Sequence, residues 1–563
     1  MNNKLYLLLL IGMLTFNCKS QETTKPDRIS DLKSNFLNPT EDNNLWCYWY
    51  WIGDDISKDG ITKDLEAMKA AGIGGALIGN INPEEIDGRV PILSEEWWEH
   101  MVHAVNEGKR IGVDIGAFNS PGWSQSGGPW VKPDMAMRYL TYSEIKVNGG
   151  KKIELDLVKP TEEFQYVCVL AFPSIASEEQ FLTLKNSSVE VTPSLLEKER
   201  LIDGDTTKVV GFSKQVKNYQ VEFTSQAPIT ARSLEIIPGK NPIQINGKVL
   251  AKQNNAWKEI KSYEINRSKL DPNVGPDKYA PIMIALPETN ATAFRVEFEV
   301  PDNLFKSFTE NDPVIETWDL AEIIISEAAR LDSFAEKDLS KMHPTPFPAW
   351  DSYLWEFQNT VTDENLKVGQ DKVLDISQFM NNDGQLSWDA PKGNWTIQRF
   401  GMTPTGTKNA PAAPQGKGYE IDKASKKLIK FHYEEYIGEF LKRIPEESKS
   451  AFKYVIADSY EMGSQNWTDG FESTFEEKFG YNPKKFLPVF SGRIVGSVEE
   501  SDRFLWDLRR AVADAVAYEY VGGLREASNE DNLKLWLENY GHWGFPSEFL
   551  MYGGQSDMVS GEF

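Results

Sequence analysis

Cysteine is nearly absent from this chain: 563 residues hold three, Cys18, Cys47 and Cys168. Three cannot build a disulfide framework. Cys47 and Cys168 sit in apolar, strand-like runs (Leu45–Trp51 and Phe164–Phe172), where buried free thiols are expected rather than a bridge or a nucleophile. Histidine is as scarce, with only His100, His103, His343, His432 and His542. His100 and His103 share a helix face, but no further Cys or His follows at ligand spacing, so a zinc site is not expected. No glycine-rich phosphate loop follows a strand, since Gly72-Ile-Gly-Gly75 precedes one. Positive charge is short as well: 60 Lys and Arg against 84 Asp and Glu leave a net charge of −24 and a pI near 4.8. Such a surface repels phosphate backbones, so no nucleic-acid partner is expected.

Aromatic residues are plentiful. They make up 12% of the chain and include 17 Trp, enough for a large core with some left over for a binding cleft. The length allows several domains. At the N-terminus, Lys4 precedes an apolar stretch, Leu5 to Phe16, too short to span a bilayer. It ends at Asn17-Cys18-Lys19-Ser20. A Cys placed there resembles a bacterial lipoprotein signal in which Cys18 is lipidated, although Thr15-Phe16-Asn17 lacks the usual small residue before the Cys. The expectation is an exported protein, periplasmic or on the outer-membrane surface, touching membrane only through a lipid anchor. Plain secretion is the alternative. Residues 19–40 read as a polar tether.

Three textures follow. Residues 41–145 alternate strand and helix: Trp46–Trp51, then Thr62–Ala71, Gly74–Ile78, Glu95–Arg110 capped by Ser94, and Ile111–Phe118. This spacing suits parallel βα units. Residues 146–395 lose the helices. Short β-branched runs such as Tyr166–Phe172, Tyr219–Phe223 and Phe294–Val300 alternate with turn residues, and Asp203-Gly-Asp205 and Asn246-Gly247 suggest hairpins. One or two β-sandwich modules are expected. Residues 396–563 return to α/β, with strands at Trp395–Phe400, Tyr454–Ala457 and Leu533–Leu537 and helices over Lys423–Ile444 and Asp502–Ser528. The fold class is therefore a (β/α)8 barrel interrupted by an all-β insertion. Six strands are visible where eight close such a barrel.

Chemistry gathers just past these strands. The run Tyr454–Ala457 stops on Asp458 and Glu461, then enters Gln465, Asn466 and Trp467. Asp458 is either a helix N-cap or part of a loop at a barrel's carboxyl end, where active sites lie. Similar loops hold Asn119, Trp123, Ser124, Gln125 and Trp130, then Glu420 and Asp422, and finally Glu538, Asn539, His542 and Trp543. Glycoside hydrolysis needs two carboxyl groups across the bond, with aromatics and amides to hold the sugar. Trp123, Trp130, Trp467 and Trp543 lie in polar loops and either pack or stack on a sugar ring.

Several segments together resemble glycoside hydrolase family 106, which contains α-L-rhamnosidases. They are Trp46–Trp51, Asp59-Gly-Ile-Thr-Lys-Asp-Leu-Glu-Ala-Met68, Ala71-Gly-Ile-Gly-Gly75, Pro91-Ile-Leu-Ser-Glu-Glu-Trp-Trp98, Asn119-Ser-Pro-Gly-Trp-Ser-Gln-Ser-Gly-Gly-Pro-Trp130, Gly418-Tyr-Glu-Ile-Asp-Lys423, Asp458-Ser-Tyr-Glu461 and Glu538-Asn-Tyr-Gly-His-Trp-Gly-Phe-Pro-Ser-Glu-Phe549. The resemblance implies an inverting hydrolase that removes terminal L-rhamnose from plant or bacterial glycans, often with bound calcium. It also implies a chain that normally continues past Gly561-Glu562-Phe563. Glu461 is the expected general acid, with Asp458 orienting its neighbours or contacting sugar. The base is Glu562, Glu538 or a residue beyond Phe563, and Glu562 is equally a candidate calcium ligand. Asn119, Trp123, Trp130, Glu420, Asp422, Gln465, Asn466, Trp467, His542 and Trp543 are expected at the sugar. A non-catalytic glycan-binding lipoprotein and an inactive fragment are the competing expectations.

Overall fold

The computed structural model describes residues 29–37, 44–83, 88–123, 126–270, 272–302, 315–342, 355–541 and 544–561. Cys18, Ser124, Gln125, His343, His542, Trp543 and Glu562 lie outside them. Six parallel strands form one sheet: β1 Leu45–Ile52, β2 Ile73–Ile81, β3 Asp114–Phe118, β4 Phe452–Ala457, β5 Lys534–Glu538 and β6 Met558–Ser560. Their order across the sheet is their order along the chain. Helices fill the crossovers, among them Lys58–Ala70, Glu95–Ile111, Val498–Ala515 and Gly522–Glu530. Local chemistry sets their ends. Ser57 accepts from the Gly60 amide and Ser94 from the Trp97 amide, and Gly112 closes the second helix in the left-handed region.

Parallel crossovers are right-handed. Adding every strand to the same side of the sheet therefore puts the helices on one face and curls the other inward. The two faces hold different cores. Trp49, Trp51, Ile78, Ala117, Val455 and Leu537 pack outward with Leu65, Trp97, Val105 and Leu524 of the helices. Leu77, Phe118, Tyr454 and Ile456 face inward with Trp46, Trp123, Trp536 and Met558. The Tyr48 hydroxyl donates to Asp458 Oδ1 at 3.1 Å, although β1 and β4 are three places apart in the sheet. Across a flat sheet, three intervals of about 4.8 Å exceed the reach of one tyrosine side chain. The sheet is therefore a parallel half-barrel with Tyr48 on its concave face.

Antiparallel sheets occupy the chain between β3 and β4. The larger has seven strands, including Asn218–Pro238, Ile243–Gln253, Ala256–Arg267, Ile282–Glu299 and Thr317–Ser326. Its core centres on Phe212 and Trp318, stacked at 4.1 Å, with Tyr219 and Phe298 edge-on. A four-stranded sheet joins Leu374–Asp375, Gln165–Pro173, Asn394–Pro404 and Arg138–Asn148. Here the sequence expectation fails. Trp395–Phe400, expected in the parallel barrel, pairs antiparallel with both Gln165–Pro173 and Arg138–Asn148. Its apolar β texture does not encode the direction of its partners. Asp458 therefore follows the fourth parallel strand, and Glu538 ends the fifth.

Asn246-Gly247 is not a hairpin turn either. It lies within Ile243–Gln253, where a Cβ on Gly247 would come within 2.2 Å of the Tyr263 ring. The turn is made by Asn254 and Asn255, both with positive φ. In the expected tether, residues Ile29–Leu37 are helical. Among the described residues no helix is long and apolar enough to cross a membrane. Cys47 and Cys168 are free thiols, Cys168 fully buried.

Candidate active site

The carboxyl ends of β4 and β5 bring two acids together. Asp458 follows the fully buried Ala457, and Glu538 is the last residue of β5. Both are nearly buried, and their side chains share a hydrogen bond. Burial and the adjoining Glu538 carboxylate push the Asp458 carboxyl far above its ordinary range. Asp458 is therefore the protonated partner and donates to Glu538, while Tyr48 donates to Asp458. Burial, with the neighbouring carboxyl groups of Asp458 and Glu538, also drives the Tyr48 hydroxyl upward, so it stays a donor. Glu461 lies three residues beyond Asp458, half-buried, and accepts from the Ser459 hydroxyl at 2.9 Å.

An aromatic wall adjoins these acids. Tyr48 stacks on Tyr50 at 5.4 Å and meets Phe118 and Trp536 edge-on at 5.7 and 5.6 Å. Tyr50 continues to Phe118 and Trp123. Alternation along β1 explains the split: Trp49 and Trp51 go to the helices, Tyr48 and Tyr50 to the concave face. Tyr48, Tyr50 and Trp536 are not singled out by the sequence reading, which treats Trp46–Trp51 only as a strand. A strict period of two over residues 46–51 was the signal that separates them. A cavity of about 870 Å³ lies at the opposite, amino end of the sheet, lined by Trp46, Asp114, Lys453 and Lys534, away from the acids.

Most residues expected at the sugar are buried and hydrogen-bonded within the protein. Asp422 accepts from Arg138 Nη2 (2.7 Å), Gln465 Nε2 (2.7 Å), Thr468 Oγ1 (2.6 Å) and the Ala424 amide (2.8 Å). With that set its lone pairs are spent. Gln465 in turn accepts from the Lys423 amide. Glu420 is fully buried against Lys423 at 2.6 Å and accepts the Ser126 amide. Asn466 bridges the Leu140 amide and the Asp338 carbonyl, each at 2.7 Å. Trp467 is core, 4.5 Å from Phe471.

Asn119 donates to the Ile456 carbonyl and accepts from Ser126. Trp130 donates to His432 Nδ1 and stacks on Tyr436 at 5.8 Å. Burial, helped by the nearby Lys423 charge, lowers His432 to about 3, so its neutral ring accepts from Trp130 and donates to the Asn119 carbonyl at 2.9 Å. These side chains brace the loops through contacts within the protein. Of the expected residues, Asp458 and Glu538 meet at the carboxyl ends of β4 and β5, Trp123 packs against the inward core, and Glu461 lies in the loop after β4. Among the described residues no three His, Cys, Asp or Glu side chains converge as a metal site would require.

A parallel half-barrel with carboxyl groups and an aromatic wall at its carboxyl mouth is a scaffold on which glycosidic bonds can be hydrolysed. The sequence model of glycoside hydrolase family 106, alpha-L-rhamnosidase, matches residues 38–563, and the chain belongs to that family. A solved rhamnosidase from Novosphingobium sp. PP1Y aligns with a TM-score of 0.76 and 26% identity, over 95% of this chain and 49% of that one. A Formosa agariphila protein provisionally named a beta-glucuronidase is 27% identical over 561 residues, 99% of this chain and 34% of its own length. The chain thus spans about half of the first relative and about a third of the second.

Proposed function

We propose that this chain carries the catalytic half-barrel of an inverting α-L-rhamnosidase, part of a (β/α)8 barrel, which removes terminal L-rhamnose from glycans. The observation that carries the proposal is the contact between Asp458 and Glu538 at the carboxyl ends of β4 and β5, with Glu461 in the loop that follows β4. Two carboxyls in direct hydrogen-bond contact cannot flank a glycosidic bond, which needs about 5 Å between them for retention and about 6.5–9.5 Å for inversion. The pair is therefore one functional unit, and its partner across the sugar is a separate acid. Glu461 takes that place as the general acid, protonating the leaving oxygen. Within the pair, Asp458 keeps the proton and gives its hydrogen bond to Glu538. Glu538, at the end of β5, is the member we assign to draw a proton from water as the water attacks the anomeric carbon. Tyr48 fixes the rotamer of Asp458 and, through it, that of Glu538.

Glu461→Gln should slow release of L-rhamnose from methyl α-L-rhamnoside, whose methoxide cannot leave unprotonated, by about 10²-fold or more. Glu538→Gln should do the same, and added azide should restore turnover only in that variant. Full activity in either variant would overturn its role. Lipidation at Cys18, calcium and a part for Glu562 are proposals for residues outside those described. No step above passes through a metal. Radiolabelled palmitate incorporation lost in Cys18→Ser tests the anchor.

A further inference from the structure

Tyr48 stands on β1, yet its hydroxyl reaches Asp458 just past β4, with two strands between them. Both of those strands carry a glycine on the inward face. Gly79 of β2 pairs with Tyr50, and Gly116 of β3 pairs with Leu77, which itself pairs with Tyr48. A Cβ on Gly79 would come within 3.1 Å of the Phe118 and Tyr50 rings, and one on Gly116 within 2.8 Å of the Leu77 and Ile456 side chains. The missing side chains let the inward face close up, and the phenol spans it. The Tyr48 ring is held from three strands. Tyr50 stacks on it at 5.4 Å, and Phe118 and Trp536 meet it edge-on at 5.7 and 5.6 Å. Tyr48→Phe therefore keeps this packing and removes only the hydroxyl.

We infer that Tyr48 is a positioning residue whose hydroxyl directs the proton held between Asp458 and Glu538, so that Asp458 donates it and Glu538 is left to act on water. The inference rests on the rhamnosidase reading above. A protonated carboxyl has one O–H donor, and its remaining lone pairs accept. The phenol donates to Asp458 Oδ1 at 3.1 Å. That makes Oδ1 the accepting oxygen and leaves Oδ2 to carry the proton toward Glu538. Without the phenol either oxygen of Asp458 can carry the proton, and Glu538 loses the donor aimed at it. The phenol also favours the ionised form of the carboxyl it touches, against the burial and the Glu538 contact that raise Asp458. Two carboxyl groups joined by a hydrogen bond titrate as a pair, so loss of the phenol moves the titration of the pair upward. Among the described residues, the other titratable groups acting on Asp458 and Tyr48 are Glu538 from β5 and Tyr50 from β1.

The test follows kcat/KM of the full chain against pH on 4-nitrophenyl α-L-rhamnoside, whose leaving group needs little help from an acid, so the acidic limb reports the base. Tyr48→Phe should move that limb up by about one pH unit, the worth of one hydrogen bond to a charged group, with KM within about twofold of wild type. Replacing Tyr48 by 3-fluorotyrosine strengthens the donor while keeping the shape, and should move the limb down. Thermal unfolding identifies the folded variants, and the fluorinated protein carries the test if Tyr48→Phe does not fold. In an Asp458→Asn background, whose amide donates but holds no titrating proton, Tyr48→Phe should leave the limb in place. An unmoved limb in the folded Tyr48 variants, or the same displacement in both backgrounds, would overturn the inference and leave the rhamnosidase reading standing. Wild type that neither cleaves the glycoside nor binds L-rhamnose by calorimetry would overturn both.

Discussion

Asp458 and Glu420 are both buried carboxyl groups, yet they are compensated in opposite ways. Glu420 meets the charge of Lys423 and the Ser126 amide. Asp458 meets another carboxylate and answers by holding its proton. Removing the charge from Glu420 takes away the buried ion-pair partner of Lys423. Glu420→Gln should therefore cost about 3–5 kcal/mol, read as a lower urea midpoint with an unchanged slope.

Asp458→Asn should act in the other direction. An unfolded aspartate titrates near about 3.9, whereas the folded one keeps its proton to far higher pH. Between those values the folded state binds more protons, so stability is full below the unfolded value and falls as pH rises through the folded one. The asparagine variant avoids that loss. Its melting temperature should match wild type near pH 4 and exceed it increasingly toward pH 8, and a constant offset would contradict the raised titration. At this scale the sequence shows which residues end a strand and enter a loop, and so revealed Asp458, Glu461 and Glu538. It does not show which way a loop side chain turns. Glu420, Asp422, Gln465 and Asn466 were polar loop residues of the right kind, and all four turn inward to partners distant in sequence.

Elements explain how those partners meet. The pair of short strands Tyr419–Glu420 and Gly127–Gly128 carries Glu420 to the Ser126 amide. It depends on Gly418, where a Cβ would stand 1.9 Å from the Gly128 carbonyl oxygen. Because the obstacle is backbone, Gly418→Ala should cost about 3 kcal/mol, the upper end of ordinary overpacking. A urea midpoint within error of wild type would show that the ribbon can shift. On the far side, the helix after Val498–Ala515 opens into a π turn, Val516–Val521, whose Tyr520 hydroxyl lies 2.9 Å from Ser126 Oγ. The sequence pattern gave one continuous helix over Asp502–Ser528 because a π turn adds a residue without breaking the apolar stripe. β1, β2 and β3 were legible from their helices and caps. Trp395–Phe400 was misplaced because strand texture is the same in parallel and antiparallel sheets. β6 was missed because Met558–Ser560 has three residues and no apolar run.

Across the whole molecule the antiparallel insertion and the half-barrel share one loop. Ser464 donates to the Leu339 carbonyl, Asn466 to the Asp338 carbonyl, and a Cβ on Gly463 would come within 2.7 Å of the Asn273 carbonyl oxygen. The loop that carries Glu461 is thus clamped by the insertion. The two parts should lose structure together, so far-UV dichroism and tryptophan fluorescence should give coincident thermal transitions. Separate transitions would show that the clamp carries little energy. This coupling could not be read from the sequence, which divides the chain into textures and is silent on what joins them.

In the proposed mechanism, Glu461 and the Asp458–Glu538 pair act on opposite sides of a rhamnosyl bond. The most direct test follows the anomer first released from 4-nitrophenyl α-L-rhamnoside by proton NMR with the full chain. β-L-Rhamnose should appear first and mutarotate to the α form over minutes. First appearance of α-L-rhamnose, or no release at all, would contradict the account.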